Sequence, residues 1–232
     1  MPVPGPPDYP KWLHEFERKL SRYALPFAFG PRLLTSTADL RNGTCFAIVI
    51  EETAPFLLTA DHVLDTALRY LARGHCDCVI GPLEPPLSDR IISRDKPLDV
   101  ATIRLTQAEV QILERNDLLI VRPEEWPPRP PAARDLIVFV GFPASARVIH
   151  SWTDGLFNGL TSQAQITGIR HDGFRYRAEL KDLRQYDVAT GKEEDVLTDY
   201  GGISGGPVFR VKPRANPPAR AGRARFGRDS GI

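Results

Sequence analysis

The stretch Gly201-Gly202-Ile203-Ser204-Gly205-Gly206-Pro207-Val208-Phe209 decides how this chain is interpreted. Two upstream segments complete it: Thr59-Ala60-Asp61-His62-Val63 and Leu98-Asp99-Val100-Ala101. Together they supply a serine, a histidine and an aspartate. A serine hydroxyl becomes a good nucleophile when an imidazole accepts its proton and a carboxylate holds that imidazole in the right tautomer. The three segments therefore predict an activated Ser204, with His62 and Asp99 as its partners.

The order of these residues along the chain narrows the choice of scaffold. Gly202 to Gly206 also fits the Gly-x-Ser-x-Gly turn of α/β-hydrolases, in which the histidine follows the serine. None of the five histidines follows Ser204, so that scaffold is excluded. The subtilisin order fits badly, because it places the aspartate before the histidine. The order that fits is the chymotrypsin order of histidine, aspartate and serine.

Five segments in this order resemble the trypsin-like (chymotrypsin-fold) serine peptidases, and among them the disulfide-poor bacterial members. The segments are Asn42-Gly43-Thr44-Cys45-Phe46, Leu58-Thr59-Ala60-Asp61-His62-Val63, Leu98-Asp99-Val100-Ala101, Val140-Gly141-Phe142-Pro143 and Ile203-Ser204-Gly205-Gly206-Pro207. The resemblance runs from about residue 28 to residue 211. It implies an all-β fold of two antiparallel β-barrels, with the active site in the cleft between them.

The resemblance also implies a role for each site residue. Ser204 is expected to be the nucleophile, His62 the general base and Asp99 the residue that orients His62. The backbone N–H groups of Gly202 and Ser204 are expected to form the oxyanion hole. Digestive relatives carry an aspartate where this chain has Ile203, and that aspartate pairs with a newly cut N-terminus. We therefore expect no activation switch of that type.

Two residues upstream of Ser204 are candidates for substrate binding. By resemblance, Thr198 and Asp199 fall near the base of the pocket that receives the residue before the scissile bond. Asp199 would then favour a basic residue there. The alternative interpretation of Asp199 is an exposed acidic residue in a turn.

The chain divides into segments of different composition. We predict an N-terminal extension over residues 1–27 and a first β-barrel with His62 and Asp99 over 28–121. A proline-rich connector follows over 122–134, then a second β-barrel with Ser204 over 135–212 and a basic tail over 213–232. Trp12, Phe16, Leu20 and Tyr23 share one helical face, which predicts an amphipathic helix over residues 11–24.

Short runs rich in β-branched and aromatic residues predict the strands of the two barrels. The predicted strands span residues 45–50, 56–59, 76–80, 100–105, 136–140, 148–151, 164–169, 174–180 and 208–211. Family members continue through at least two more strands after this point, whereas residues 213–232 have the composition of a disordered segment. We therefore expect an incomplete second barrel, an open cleft and slow, unselective hydrolysis.

The composition limits the kinds of binding partner and the cellular compartment that we expect for this protein. The formal net charge is +1, which gives no global attraction to nucleic acid or to an anionic membrane. No apolar run approaches the roughly 20 residues that span a bilayer. Three cysteines form no disulfide framework, which favours a reducing compartment and predicts a cytoplasmic protein with free thiols. His75, Cys76 and Cys78 are spaced too tightly for a zinc site, so we expect neither metal nor cofactor.

These observations leave two functions open. The first is a serine endopeptidase that acts on protein or peptide substrates through an acyl-enzyme intermediate. The second is a weak or inactive descendant that serves as a protein-binding or regulatory module. The three motifs favour the first, and the expected loss of terminal strands favours the second. The sequence does not indicate the oligomeric state.

Overall fold

Antiparallel β-sheets dominate the regular structure. The computed structural model describes residues 11–32, 39–51, 53–130, 132–133, 135–149, 155–157, 159–166, 185–186, 193–194 and 201–211. The helices within them are α1 (Lys11–Ser21), α2 (Asp61–Leu71) and α3 (Gln107–Arg115). The strands are β1 (Leu25–Pro31), β2 (Arg41–Ile48), β3 (Phe56–Thr59), β4 (Cys76–Ile80), β5 (Ile91–Asp95), β6 (Val100–Arg104), β7 (Leu136–Gly141), β8 (Arg147–Ile149), β9 (Gly155–Phe157), β10 (Leu160–Gln165), β11 (Gln185–Tyr186), β12 (Glu193–Glu194) and β13 (Val208–Val211). The predicted all-β class is confirmed, whereas closure of the sheets into barrels stays a prediction.

Six strands form the larger sheet, in the order β4-β1-β2-β3-β6-β5. Every neighbouring pair in it is antiparallel. Its apolar face and the helices α2 and α3 share one buried cluster, which includes Phe27, Leu57, Leu64, Ile103 and Leu113. Because α2 begins two residues after β3 ends, the first turn of this helix lies at the end of the strand.

Helices α2 and α3 were not predicted, although the sequence carries signals for both. In α2, Val63, Leu64 and Ala67 are buried on one face, which is the spacing of a helix that packs on a core. In α3, the Thr106 hydroxyl accepts from the N–H of Glu109, and the Glu109 carboxylate accepts from the N–H of Thr106. This reciprocal pair is a capping box. Among the described helices, none is long and apolar enough to cross a membrane.

The smaller sheet has the order β10-β7-β13 and carries helix α1 on one face. Leu20 and Ala24 share a buried cluster with Val138 and Val140 of β7. The predicted helix is confirmed over Lys11–Ser21. The backbone then bends: the N–H of Tyr23 donates to the carbonyl of Leu20 at 3.0 Å, and β1 begins at Leu25.

The strand predictions agree best where a short apolar run is bounded by turn residues. Phe56–Thr59, Cys76–Ile80 and Val208–Val211 are strands over the predicted residues. The strand predicted at 164–169 lies instead at Leu160–Gln165, and β1 and β5 were missed. The described part of the connector, 122–130 and 132–133, has neither helix nor strand. The strand predicted at 174–180 and the tail at 213–232 lie outside the described residues.

Candidate active site

Two hydrogen bonds join His62 to Asp99. Nδ1 of His62 lies 2.7 Å from Oδ2 of Asp99, and the backbone N–H of His62 donates to Oδ1 at 2.9 Å. An ionised carboxylate only accepts hydrogen bonds, so it favours the tautomer with the proton on Nδ1. Nε2 is then the basic nitrogen of the neutral ring. The imidazole is thus oriented as a proton acceptor.

Asp99 is presented by a tight turn between β5 and β6. Its N–H donates to the carbonyl of Lys96 at 3.2 Å, and the N–H of Leu98 donates to Oδ1 of Asp95 at 3.0 Å. Asp99 has a φ of 54°, in the left-handed region that residues other than glycine seldom adopt. Aspartate tolerates this region better than most residues. Because β5 and β6 hold both sides of the turn, this conformation is maintained and the carboxylate reaches the first turn of α2.

Asp61, directly before His62, anchors the start of α2 to β5. Its side chain is only 6% exposed, and both of its carboxylate oxygens accept from Arg94, Oδ2 at 3.0 Å from Nη2. Nη2 of Arg94 also lies 2.8 Å from Oδ1 of Asp65. Hydrogen bonds from Arg94 hold the pKa of Asp61 below its usual value, against the opposing effect of burial. This ion pair ties the turn that carries His62 to the strand that leads into the Asp99 turn.

The loop that carries Ser204 is docked on strand β2. The N–H of Thr44 donates to the carbonyl of Ser204 at 2.9 Å. Within the loop, the N–H of Gly206 donates to the carbonyl of Ile203 at 3.0 Å, which closes a tight turn around Ser204. Ser204 is therefore held by backbone hydrogen bonds to the larger sheet and within its own turn.

Gly205 shows how closely this loop approaches the segment before His62. Gly205 has a φ of 88°, and a Cβ there would overlap the carbonyl oxygen of Thr44 and lie 2.7 Å from the nitrogen of Ala60. Only glycine fits such a contact. Since Ala60 is two residues before His62, the packing of Gly205 brings the serine loop and the histidine segment together.

The backbone of Gly202 is fixed on the opposite side of the same loop. Gly202 has a φ of 95°, and a Cβ there would lie 2.6 Å from both Nδ2 of Asn42 and the carbonyl oxygen of Phe142. The preceding carbonyl, that of Gly201, accepts from the N–H of Ala144 at 2.6 Å. In a trans peptide the N–H and the C=O point in opposite directions. The N–H of Gly202 therefore points away from Ala144.

Solvent reaches the pair formed by His62 and Asp99. The side chain of His62 is 57% exposed and that of Asp99 is 49% exposed. The aspartate is buried in the template for this chemistry. Water competes for an exposed carboxylate and screens its attraction to an imidazolium. The electrostatic contribution of Asp99 is accordingly smaller here than at a buried site.

Of the residues predicted from sequence, His62 and Asp99 are joined directly by hydrogen bonds, and the loop of Gly202 and Ser204 contacts Thr44 and the segment before His62. Thr198 and Asp199 lie outside the described residues. Sequence reasoning missed the Asp61–Arg94 ion pair and the contacts of Asn42 and Thr44, because these depend on pairings between distant segments. Among the described residues, no group of three or more His, Cys, Asp or Glu side chains is placed to hold a metal ion.

The chain matches a known protein family. A family model described as a trypsin-like peptidase domain matches residues 43–214. The matched range includes His62, Asp99 and Ser204 and begins after helix α1. No curated protein matches the chain significantly.

Proposed function

Because the chain belongs to the trypsin-like peptidase family and is a hydrolase of the serine-protease type, we propose that it is an endopeptidase whose catalytic residues are His62, Asp99 and Ser204. The observation that carries the proposal is the pair of hydrogen bonds between His62 and Asp99, at 2.7 and 2.9 Å. They leave Nε2 of His62 as the basic nitrogen.

In the proposed reaction, Oγ of Ser204 attacks the carbonyl carbon of a peptide bond while Nε2 of His62 takes the hydroxyl proton. The C–N bond then breaks, and His62 returns the proton to the leaving amine. The ester on Ser204 is hydrolysed by a water molecule that gives its proton to His62, and this step restores the serine. Asp99 keeps Nδ1 protonated throughout and stabilises the imidazolium.

The developing oxyanion would be bound by the backbone N–H groups of Gly202 and Ser204. The orientation of the Gly201–Gly202 peptide supports this role for Gly202. Removal of one such donor costs about 10²–10³ in kcat in related chemistry. Peptidase membership implies a protein or peptide substrate, and we propose no further specificity.

A second function, a weak or inactive protease that serves as a binding module, is favoured by one observation. The side chains of His62 and Asp99 are 57% and 49% exposed. Screening by water weakens the stabilisation that Asp99 gives to an imidazolium. Turnover of small activated esters but not of peptides would be the mark of this second function.

A fluorophosphonate probe tests the proposal, because it reacts covalently with activated serines. We expect labelling of the wild-type protein at Ser204, identified by peptide mass spectrometry. Ser204→Ala should abolish labelling, and His62→Ala should reduce it by at least about 100-fold, since an unassisted serine is a poor nucleophile.

Matched variants separate loss of chemistry from loss of structure. Ser88→Ala and His75→Ala change the same residue types at exposed positions away from the site, and both should label at the wild-type rate. Labelling of His62→Ala at the wild-type rate would contradict the proposed role of His62. If the wild type hydrolyses a mixture of peptides and Ser204→Ala does not, the protein is an endopeptidase and not only a binding module.

A further inference from the structure

The hydroxyl of Thr44 is the point at which three segments meet. Oγ1 of Thr44 donates to the carbonyl of Gly202 at 2.7 Å and accepts from the N–H of Phe142 at 3.0 Å. Thr44 is fully buried in β2. Its side chain thus joins the larger sheet, the end of β7 and the serine loop through one atom.

The position of this hydroxyl is itself fixed by the surrounding structure. The hydroxyl of Thr59, on the neighbouring strand, donates to the carbonyl of Thr44 at 2.7 Å. The N–H of Thr44 is engaged by the carbonyl of Ser204 at 2.9 Å. A β-branched side chain has few χ1 choices, so a buried threonine with a fixed backbone holds its hydroxyl in one place.

Thr44 therefore holds the peptide that directly follows each of the two proposed oxyanion donors, Gly202 and Ser204. Its N–H fixes the carbonyl of Ser204, and its hydroxyl fixes the carbonyl of Gly202. On the other side of Gly202, the carbonyl of Gly201 is fixed by the N–H of Ala144 at 2.6 Å. With both flanking carbonyls held, the N–H of Gly202 has one direction available.

We propose that Thr44 is a positioning residue: by binding the carbonyl of Gly202 it helps to hold the backbone of Gly202 in the conformation whose N–H binds the oxyanion. The role rests on the proposed peptidase function. The hydroxyl touches neither the substrate nor the reacting atoms. It acts on the rate through geometry, since a donor moved by about 1 Å from the oxyanion position can cost 10²-fold. A threonine performs this task because its hydroxyl both donates and accepts.

The test replaces Thr44 with valine, which keeps the shape and removes the hydroxyl, and with serine, which keeps the hydroxyl. With a small p-nitrophenyl ester, we expect Thr44→Val to lower kcat at least about 10-fold with KM changed less than about twofold, because the lost interaction acts in the transition state. Thr44→Ser should stay within about threefold of the wild type. Thr44→Ala, which is smaller, serves as the second hydroxyl-free variant if the valine protein does not fold.

Thr161→Val is the matched control. Thr161 is as buried as Thr44, but its hydroxyl has no hydrogen-bond partner among the described residues. The same isosteric change there should leave kcat unaltered. Equal loss of kcat in Thr44→Val and Thr161→Val would overturn the proposal, and so would wild-type kcat in Thr44→Val.

A second readout keeps the inference separate from the peptidase proposal. The order parameter of the Gly202 amide, measured by NMR, should be that of rigid backbone in the wild type and in Thr44→Ser, about 0.85, and fall below about 0.6 in Thr44→Val. If the wild type neither hydrolyses esters nor reacts with a fluorophosphonate, the peptidase proposal fails, whereas this order parameter still decides the role of Thr44. An unchanged order parameter in Thr44→Val overturns it.

Discussion

At the scale of single residues, Asp99 has to satisfy two requirements: a left-handed backbone conformation and a carboxylate that accepts hydrogen bonds from His62. Its φ of 54° selects for residues that tolerate the left-handed region, and its carboxylate takes both hydrogen bonds from His62. An asparagine would keep the backbone conformation and one acceptor, but its NH₂ group cannot accept from Nδ1–H. The imidazole would then favour the tautomer with the proton on Nε2, which cannot take the serine proton.

We therefore predict that Asp99→Asn lowers the rate of ester hydrolysis by about 10²–10⁴ with little change in the free energy of unfolding. The exposure of Asp99 places the expected loss towards the lower end. Asp117→Asn is the control, because Asp117 also has a positive φ, 62°. Steady-state kinetics and urea denaturation of the two variants check this. An active Asp99→Asn would show that Asp99 does not set the tautomer of His62.

The three thiols differ in accessibility, which a reagent can detect. Cys45 and Cys78 are buried, at 0% and 8% exposure, and Cys76 is partly exposed. Burial raises the pKa of Cys45 well above its usual value and raises the pKa of Cys78 to about 12. The thiolate is the reactive form, so the two buried thiols should be inert at neutral pH.

We predict that dithiobis-nitrobenzoate reacts rapidly with one thiol of the native, never-reduced protein at pH 7.5. After denaturation without a reducing agent, the same reagent should detect three thiols. Cys76→Ser should remove the fast phase. Three thiols after denaturation would support the proposed reducing, cytoplasmic compartment. A count of one would require a disulfide and would contradict it.

At the scale of secondary-structure elements, the junction between α2 and β5 depends on a buried ion pair. The carboxylate of Asp61 is 6% exposed and is neutralised by Arg94, whose side chain is 24% exposed. Removal of one partner from a buried pair leaves an uncompensated charge, which costs about 3–5 kcal/mol. An exposed pair contributes far less, about 0–1 kcal/mol.

We predict that Arg94→Ala lowers the free energy of unfolding at pH 7 by about 3 kcal/mol. Arg69 also pairs with Asp65, but the side chain of Arg69 is 69% exposed. Arg69→Ala should therefore lower the free energy of unfolding by less than about 1 kcal/mol. Urea denaturation measures both. Equal costs for the two variants would show that the Asp61–Arg94 pair gives no special stability to the turn that carries His62.

The difference in free energy of unfolding between the wild type and Arg94→Ala should depend on pH, and the pKa of Asp61 gives the direction of this dependence. The pKa of Asp61 is lowered in the folded protein, so the pair contributes stability above the unfolded pKa, about 3.9. That contribution is lost as the pH falls through the folded pKa. The difference in stability between the wild type and Arg94→Ala should therefore be largest at neutral pH and should shrink below about pH 4.

At the scale of the whole molecule, the candidate site residues can be identified from the sequence, whereas most of the packing around them cannot. Motifs such as Ser204-Gly205-Gly206-Pro207 are local, so their residues can be identified along the chain. The positions of β3, β4 and β13 were also predicted, because each is a short apolar run between turn residues. Helix α2 lies between the strands predicted at 56–59 and 76–80, and α3 follows the strand predicted at 100–105; both fall within the segment predicted as the first β-barrel, and neither was predicted as a helix.

The contacts between the candidate site and the two sheets could not be predicted from local sequence patterns. Thr44 reaches Gly202, 158 residues away in sequence, and Asn42 donates to the carbonyl of Phe142, 100 residues away, at 2.6 Å. Both lie in the first half of β2, just before the predicted strand at 45–50. Nothing in a strand pattern indicates which side chain crosses to the other sheet, because that depends on how the two sheets dock.

Helix α1 lies outside the range that the family model matches, since it precedes residues 43–214. Leu20 is buried, at 7% exposure, against Val138 and Val140 of β7. β7 pairs with β13, and the serine loop leads into β13. The helix thus covers the sheet that supports Ser204.

We predict that Leu20→Ala lowers the free energy of unfolding by about 2–5 kcal/mol, because a buried leucine is removed from the interface between α1 and the smaller sheet. Lys19→Ala, one residue away on the exposed side of α1, should change it by less than about 0.5 kcal/mol. Urea denaturation measures the stabilities, and fluorophosphonate labelling at a temperature well below both unfolding transitions should give equal rates for the two variants. Equal stabilities would mean that α1 does not dock on the sheet in solution. A labelling rate that falls in Leu20→Ala while the protein remains folded would instead show that the helix acts on the serine loop through β7 and β13.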